Sequence, residues 1–132
     1  MPEAPLILIA DDEADILVVT ATRLEAAGYR TVTAADGREA LDILRHQQPD
    51  LVLLDLRMPK VDGYEFCRTV KDDPNLDRVP VILFSASSSR AENLRDKCLA
   101  LGADGYISKP FISTELLAAV EHALARPGGE PR

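Results

Sequence analysis

A doubly wound α/β domain built on one five-stranded parallel sheet is the fold class this sequence predicts. Three observations carry it. Five short apolar runs alternate with segments of helical character, and three of those runs are continuously apolar. Uninterrupted apolar runs mark strands covered on both faces, as parallel sheets require when crossover helices lie on either side. The length, 132 residues, suits a single domain that can bury its own core.

Taken in order, the first run is Leu6–Ala10, and the helical segment Ala14–Ala27 after it stops at Gly28, a residue suited to a helix end. The second run, Thr31–Ala34, precedes a helix over Arg38–His46, with Asp36 and Gly37 ahead of it and Pro49 beyond it. The third run is Leu51–Leu54, and its helix, Tyr64–Lys71, ends in an Asp-Asp-Pro-Asn turn. Val81–Phe84 is the fourth run. The helix after it, Arg90–Leu101, is polar at most positions and is expected to be largely exposed and mobile. The fifth run, Tyr106–Ser108, leads to a helix over Thr114–Ala125 with Ser113 as N-cap. Right-handed crossovers then place helices on both faces of the sheet. Residues 5–125 form the expected domain, and 126–132, lacking apolar periodicity, read as a flexible tail or the start of a linker.

Charge and composition narrow the function. The net charge of −7 argues against direct nucleic-acid binding, which needs a clustered basic footprint. No apolar run reaches the roughly 18 residues of a membrane span, and no signal peptide is evident, so a cytoplasmic location is expected. Cys67 and Cys98 fall inside helical segments and read as packed thiols; with no His or third Cys nearby in sequence, neither a disulfide nor a metal site is expected from them.

Ligand sites in such folds lie outside the carboxyl ends of the strands. There the sequence places Asp11 and Asp12 after the first strand, Asp55 after the third, Ser85 after the fourth and Lys109 after the fifth. Each has a plain structural role available. Asp11 or Asp12 suits a helix N-cap, Asp55 a turn before Met58–Pro59, Ser85 the start of a serine-rich loop, and Lys109 an exposed surface. One cap needs only one Asp, however, and an Asp behind four apolar residues is costly if buried alone. Three carboxylates meeting at one point must protonate, pair with a cation, or hold a hard metal ion, for which Mg²⁺ is the best match. An Asp carboxylate can also serve as a nucleophile toward phosphorus, with metal and lysine neutralising the transferred group.

At these positions the chain resembles a known family. "DDE" after the first strand, "DLRMPKVDG" after the third, "SAS" after the fourth and "GADGYISKPF" around the fifth are similar to the receiver domain of response regulators in two-component signal transduction. The likeness runs from about Leu6 to Ala125. It implies a flavodoxin-like (βα)5 fold with strand order 2-1-3-4-5. It implies Asp55 as phosphoacceptor, and Mg²⁺ held by Asp11, Asp12, Asp55 and the backbone carbonyl of Arg57. Lys109, Ser85 and Ala86 would bind the phosphoryl group, with Ser85 and Tyr106 as the switch pair and a cis peptide between Lys109 and Pro110. Tyr106 also reads as a strand aromatic covering the sheet edge, and Gly63 as a tight-turn glycine.

The function implied is a bacterial, phosphorylation-dependent signalling switch, not an enzyme beyond catalysing its own phosphorylation and dephosphorylation. Its partners would be a histidine kinase or histidine phosphotransfer protein upstream and an effector protein or domain downstream. That effector would meet the face formed by the fourth helix, fifth strand and fifth helix. The chain would be a monomer, or a dimer when phosphorylated. A non-phosphorylated scaffold of the same fold is a rival, as is an aspartyl-phosphate phosphatase or phosphotransferase. The scaffold reading is weakened by the presence of every required residue. Phosphatases of that kind usually carry the nucleophile at the end of the first strand with a second acid two residues later; here Asp11 is followed by Asp12 and then by a Glu, Glu13, in that slot, and no cap domain is expected to shape a substrate pocket. Mutual repulsion among the acids leads to one further expectation: Asp12→Ala should stabilise the metal-free fold while abolishing phosphorylation.

Overall fold

The computed structural model describes residues 4–56, 63–86, 89–109 and 111–125. Five strands and five helices alternate: β1 (Leu6–Ala10), α1 (Ala14–Ala26), β2 (Arg30–Ala34), α2 (Gly37–Gln47), β3 (Leu51–Asp55), α3 (Gly63–Asp72), β4 (Val81–Ala86), α4 (Ser89–Ala100), β5 (Gly105–Lys109) and α5 (Ser113–Ala125). The strands form one parallel sheet in the order β2-β1-β3-β4-β5, the doubly wound arrangement expected.

Alternation along the strands divides the core into two layers. Leu8, Ala10, Val52, Leu54, Val81 and Leu83 meet Ala40, Leu44, Phe66, Val70 and Cys98 from α2, α3 and α4. Their neighbours Ile7, Ile9, Leu51, Leu53, Ile82 and Phe84 turn the other way, onto Leu24 of α1 and Leu116 and Val120 of α5. Successive strand side chains point to opposite faces, so a strand covered on both must be apolar at every position. The burial of all five β3 residues bears this out. It also carries Asp55, the last of them, into the protein interior.

Helix ends follow local chemistry, with one departure from expectation. At α2 the Asp36 carboxylate accepts from the Glu39 N–H at 2.8 Å, and Glu39 reaches back to the Ala35 N–H at 3.1 Å, so both side chains satisfy orphan donors. Gly28 follows α1 with φ +99, as its predicted role demands. Ser113, by contrast, lies in the first turn of α5, whose Leu116 N–H bonds the Ile112 carbonyl. Neither Asp11 nor Asp12 caps α1. Glu13 holds the N-cap position without a side-chain cap bond, while Asp11 is paired with Lys109. α4 shows one buried residue, Cys98, among its described side chains, which agrees with an exposed helix.

Gly63 also has a different role from the one its sequence context suggests. Its N–H bonds the Leu56 carbonyl at 3.1 Å, and a Cβ there would fall 2.6 Å from the Leu56 Cα. The requirement is close backbone approach, not a left-handed turn: α3 begins hard against the residue that follows Asp55. Gly63→Ala must push the two backbones apart, and we expect a loss of about 1–3 kcal/mol, as for other overpacked sites, read as a lower urea midpoint. An unchanged midpoint would show that the two segments can separate without cost.

Candidate functional site

Parallel pairing brings the strand ends together. Ala10 pairs with Leu54, so Asp11 lies one step beyond β1 beside Asp55. Asp55 pairs with Phe84, and Ala86 with Lys109. Carboxylate oxygens of Asp11, Asp12 and Asp55 lie within 4.8 Å of one another. Asp11 is fully buried and Asp55 is 4% exposed, while Asp12 lies in solvent.

Two buried carboxylates side by side require compensation, and Lys109 supplies it. Its Nζ lies 2.6 Å from Asp11 Oδ2, 3.3 Å from Asp55 Oδ2 and 3.6 Å from Glu13 Oε1. The ammonium also sits 5.2 Å from the centre of the Phe84 ring, which closes one side of the site. Burial alone would lower the lysine's pKa. The contact with Asp11 and the charges of Asp55 and Asp11 outweigh it, and the pKa stands above the ordinary lysine value.

The oxygens of Asp11 are divided between two tasks. Oδ1 accepts from the Glu13 N–H at 2.9 Å, fixing the turn into α1. Oδ2 faces Lys109, and beyond that ion pair it has no hydrogen-bond partner among the described residues. A buried carboxylate oxygen with unused lone pairs, next to two further carboxylates, is a donor set suited to a hard cation that favours oxygen ligands. Beside Lys109 a groove of about 270 Å³, walled by Ile16 and Val19 of α1 and by Phe84 and Phe111, opens to solvent.

The other predicted site residues are placed only in part. Ser85 and Ala86 are the last residues of β4, in register with Ser108 and Lys109, and only their backbones are described. Arg57 and Pro110 lie outside the described residues, and with them the predicted carbonyl ligand and the cis peptide. Tyr106 pairs with Leu83 and is half-buried against the α2–α3–α4 layer, its ring 5.1 Å from the Arg95 guanidinium of α4. Sequence reasoning passed over Glu13 as a neighbour of Lys109 and Phe84 as a wall of the site. Phe84 follows three apolar residues and directly precedes Ser85, a spacing that marks it only once the strand's last residues are known to face the site.

Comparison with known proteins agrees with this fold. Residues 7–121 match the family model of the response regulator receiver domain, and the chain belongs to that family. Its fold is that of a receiver domain of two-component systems. A Guillardia theta protein named "Probable transcriptional regulator ycf27" is 43% identical over 120 residues, covering 91% of this chain and 45% of that protein. The chain thus spans about half the length of the curated relatives it matches. The signal receiver domain of a histidine kinase from Syntrophus aciditrophicus superposes with a TM-score of 0.85 at 34% identity, covering 98% of each chain. The receiver domain of sensor histidine kinase PA1611 from Pseudomonas aeruginosa gives a TM-score of 0.84 at 31% identity, covering 93% of this chain and 99% of that one. That neighbour carries a magnesium ion in its active-site cleft. Among the described residues no helix is long and apolar enough to cross a membrane.

The lysine yields a signed prediction. A folded-state pKa raised above the unfolded value contributes stability that is complete below the ordinary lysine pKa, about 10.4, and is lost as pH climbs through the folded value. This contribution should therefore stay constant through neutral pH and fall only in strong alkali. Lys109→Met leaves two buried carboxylates without their partner, and we expect a loss of roughly 3–5 kcal/mol at neutral pH with a shallower alkaline limb. Urea unfolding across pH checks both; a mutant as stable as wild type would show that solvent or protonation compensates the acids.

Proposed function

We propose that this chain is a phosphorylation-dependent signalling switch in which Asp55 accepts a phosphoryl group from a phosphohistidine. The donor would be a histidine kinase or a histidine phosphotransfer protein. One observation carries the reading: Asp55, at the end of β3, faces Lys109 Nζ at 3.3 Å within a three-carboxylate cluster. An Asp carboxylate oxygen attacks phosphorus, a P–O bond forms as the P–N bond breaks, and the departing imidazole is left neutral or takes a proton. Asp11, Asp12 and Asp55, with the Arg57 carbonyl, would hold Mg²⁺, which supplies neutralising charge for the phosphoryl oxygens. Lys109 pairs with one phosphoryl oxygen, while the Ser85 hydroxyl and the Ala86 backbone N–H donate to others.

In this reading phosphorylation draws Ser85 toward the phosphate and Tyr106 inward, shifting a two-state equilibrium. The contact between Arg95 and the Tyr106 ring supports a link from β5 to α4. The output is a changed α4–β5–α5 face for a downstream effector protein or domain. We assign the domain to residues 5–125, the location to the cytoplasm and the catalytic role to self-phosphorylation and self-dephosphorylation only.

Incubation with a small-molecule phosphodonor and Mg²⁺ should add one phosphoryl group per chain, seen by intact mass, and Asp55→Asn should take none. Equal labelling of that mutant, or no labelling of wild type, overturns the assignment. Asp12 is exposed, so its repulsion is screened by water, and in place of the stabilisation expected from the sequence Asp12→Ala should leave stability within about 0.5 kcal/mol of wild type. Its Mg²⁺ affinity should fall at least tenfold in a titration. Unchanged affinity would remove Asp12 from the metal set.

A further inference from the structure

The two cysteines, far apart in sequence, meet in the interior. Cys67 lies on the inner side of α3 and Cys98 in the last turn of α4; both are fully buried in the same apolar layer and both are free thiols. Cys98 is also the neighbour that acts most strongly on the Cys67 thiol, which places the two side chains within each other's reach. The helices that carry them pack directly, and the Lys97 ammonium beside Cys98 lies 5.9 Å from the centre of the Tyr64 ring on α3.

We propose that Cys67 and Cys98 are an oxidisable dithiol, which a peroxide converts into an intramolecular disulfide tying α4 to α3. One sulfur, as thiolate, attacks a peroxide oxygen and becomes a sulfenic acid as the O–O bond breaks and hydroxide leaves. The second sulfur attacks the first, forming the S–S bond and releasing the remaining oxygen as water. Two thiols lose two electrons and two protons, and one hydrogen peroxide becomes two waters. Cys98, together with burial, pushes the Cys67 thiol well above the ordinary thiol range, so the closed protein keeps it protonated and unreactive. Oxidation therefore proceeds through conformers in which α4 lifts from α3, and the product holds α4 down. Tyr106 and Cys98 share one apolar layer, so the link restrains the side of β5 that meets α4. Its effect on signalling rests on the proposed function; its formation does not.

The test is treatment of the native chain with hydrogen peroxide, blocking with iodoacetamide, and a non-reducing peptide map. The expected result is a Cys67–Cys98 linked peptide from monomeric protein, reversed by dithiothreitol and absent from Cys67→Ala and Cys98→Ala. Thiols still alkylated on unfolding after peroxide, oxidation that stops at sulfinic acid, or disulfides joining separate chains would each overturn the proposal. Phosphodonor labelling of the same samples keeps the two ideas apart. A chain that forms the link and takes no phosphate overturns only the switch, and one that takes phosphate without forming the link overturns only the dithiol.

Discussion

The burial of two carboxylates beside one ammonium is the constraint on which the rest of this structure depends. A lone ionised group in a protein interior costs several kcal/mol, so Asp11 and Asp55 can occupy the end of the sheet only while a cation stays within reach. Lys109 is delivered there by the parallel register of β5 on β4. A one-residue slip of β5 would turn the lysine to the other face and strand both acids. The register of the sheet and the charge balance of the site thus enforce each other. The close approach of Gly63 to Leu56 belongs to the same system, because it fixes how the chain leaves Asp55.

Most of the architecture was legible from the sequence because its causes are local or periodic. LILIA, LVLL and VILF have no polar residue to turn toward water, so each must be a strand covered on both sides. The convergence of Asp11, Asp12, Asp55 and Lys109 follows from placing each at the end of a strand in one parallel sheet. What escaped depends on the third dimension. Nothing near Gly63 in sequence announces that the Leu56 backbone will lie against its Cα. Nothing in the polar α4 pattern says that its buried cysteine will meet the one on α3. The choice between the two roles open to the acids after β1 was likewise settled in space: Asp is a good N-cap in isolation, yet Asp11 is claimed by Lys109 and by the Glu13 N–H.

α4 connects β4 to β5. It follows the strand end that carries Ser85, touches β5 through Arg95 and Tyr106, and is anchored on α3 through Cys98. Few of its described side chains are buried, so little apolar area holds it in place. Segments with few buried contacts are the ones that open at low free-energy cost. A weakly held helix bordered by a charged site on one side and a thiol pair on the other can be biased from either.

The run of acids after β1 divides its labour by burial. Asp11, fully inside, uses one oxygen to set the turn into α1 and the other to meet Lys109; it is a structural acid. Glu13 stays mostly in solvent and adds only a distant contact to the lysine. Asp12 is exposed, yet its carboxylate reaches to within 4.8 Å of both buried acids. An exposed acid contributes little to folding, since water screens its charge, but it completes an oxygen cluster at the mouth of the site. Removing Asp11 therefore disturbs fold and site together, whereas Asp12, whose part in the function proposed is cation binding, can be removed with almost no structural cost. That separation makes the second acid, not the first, the cleaner probe of what the cluster is for.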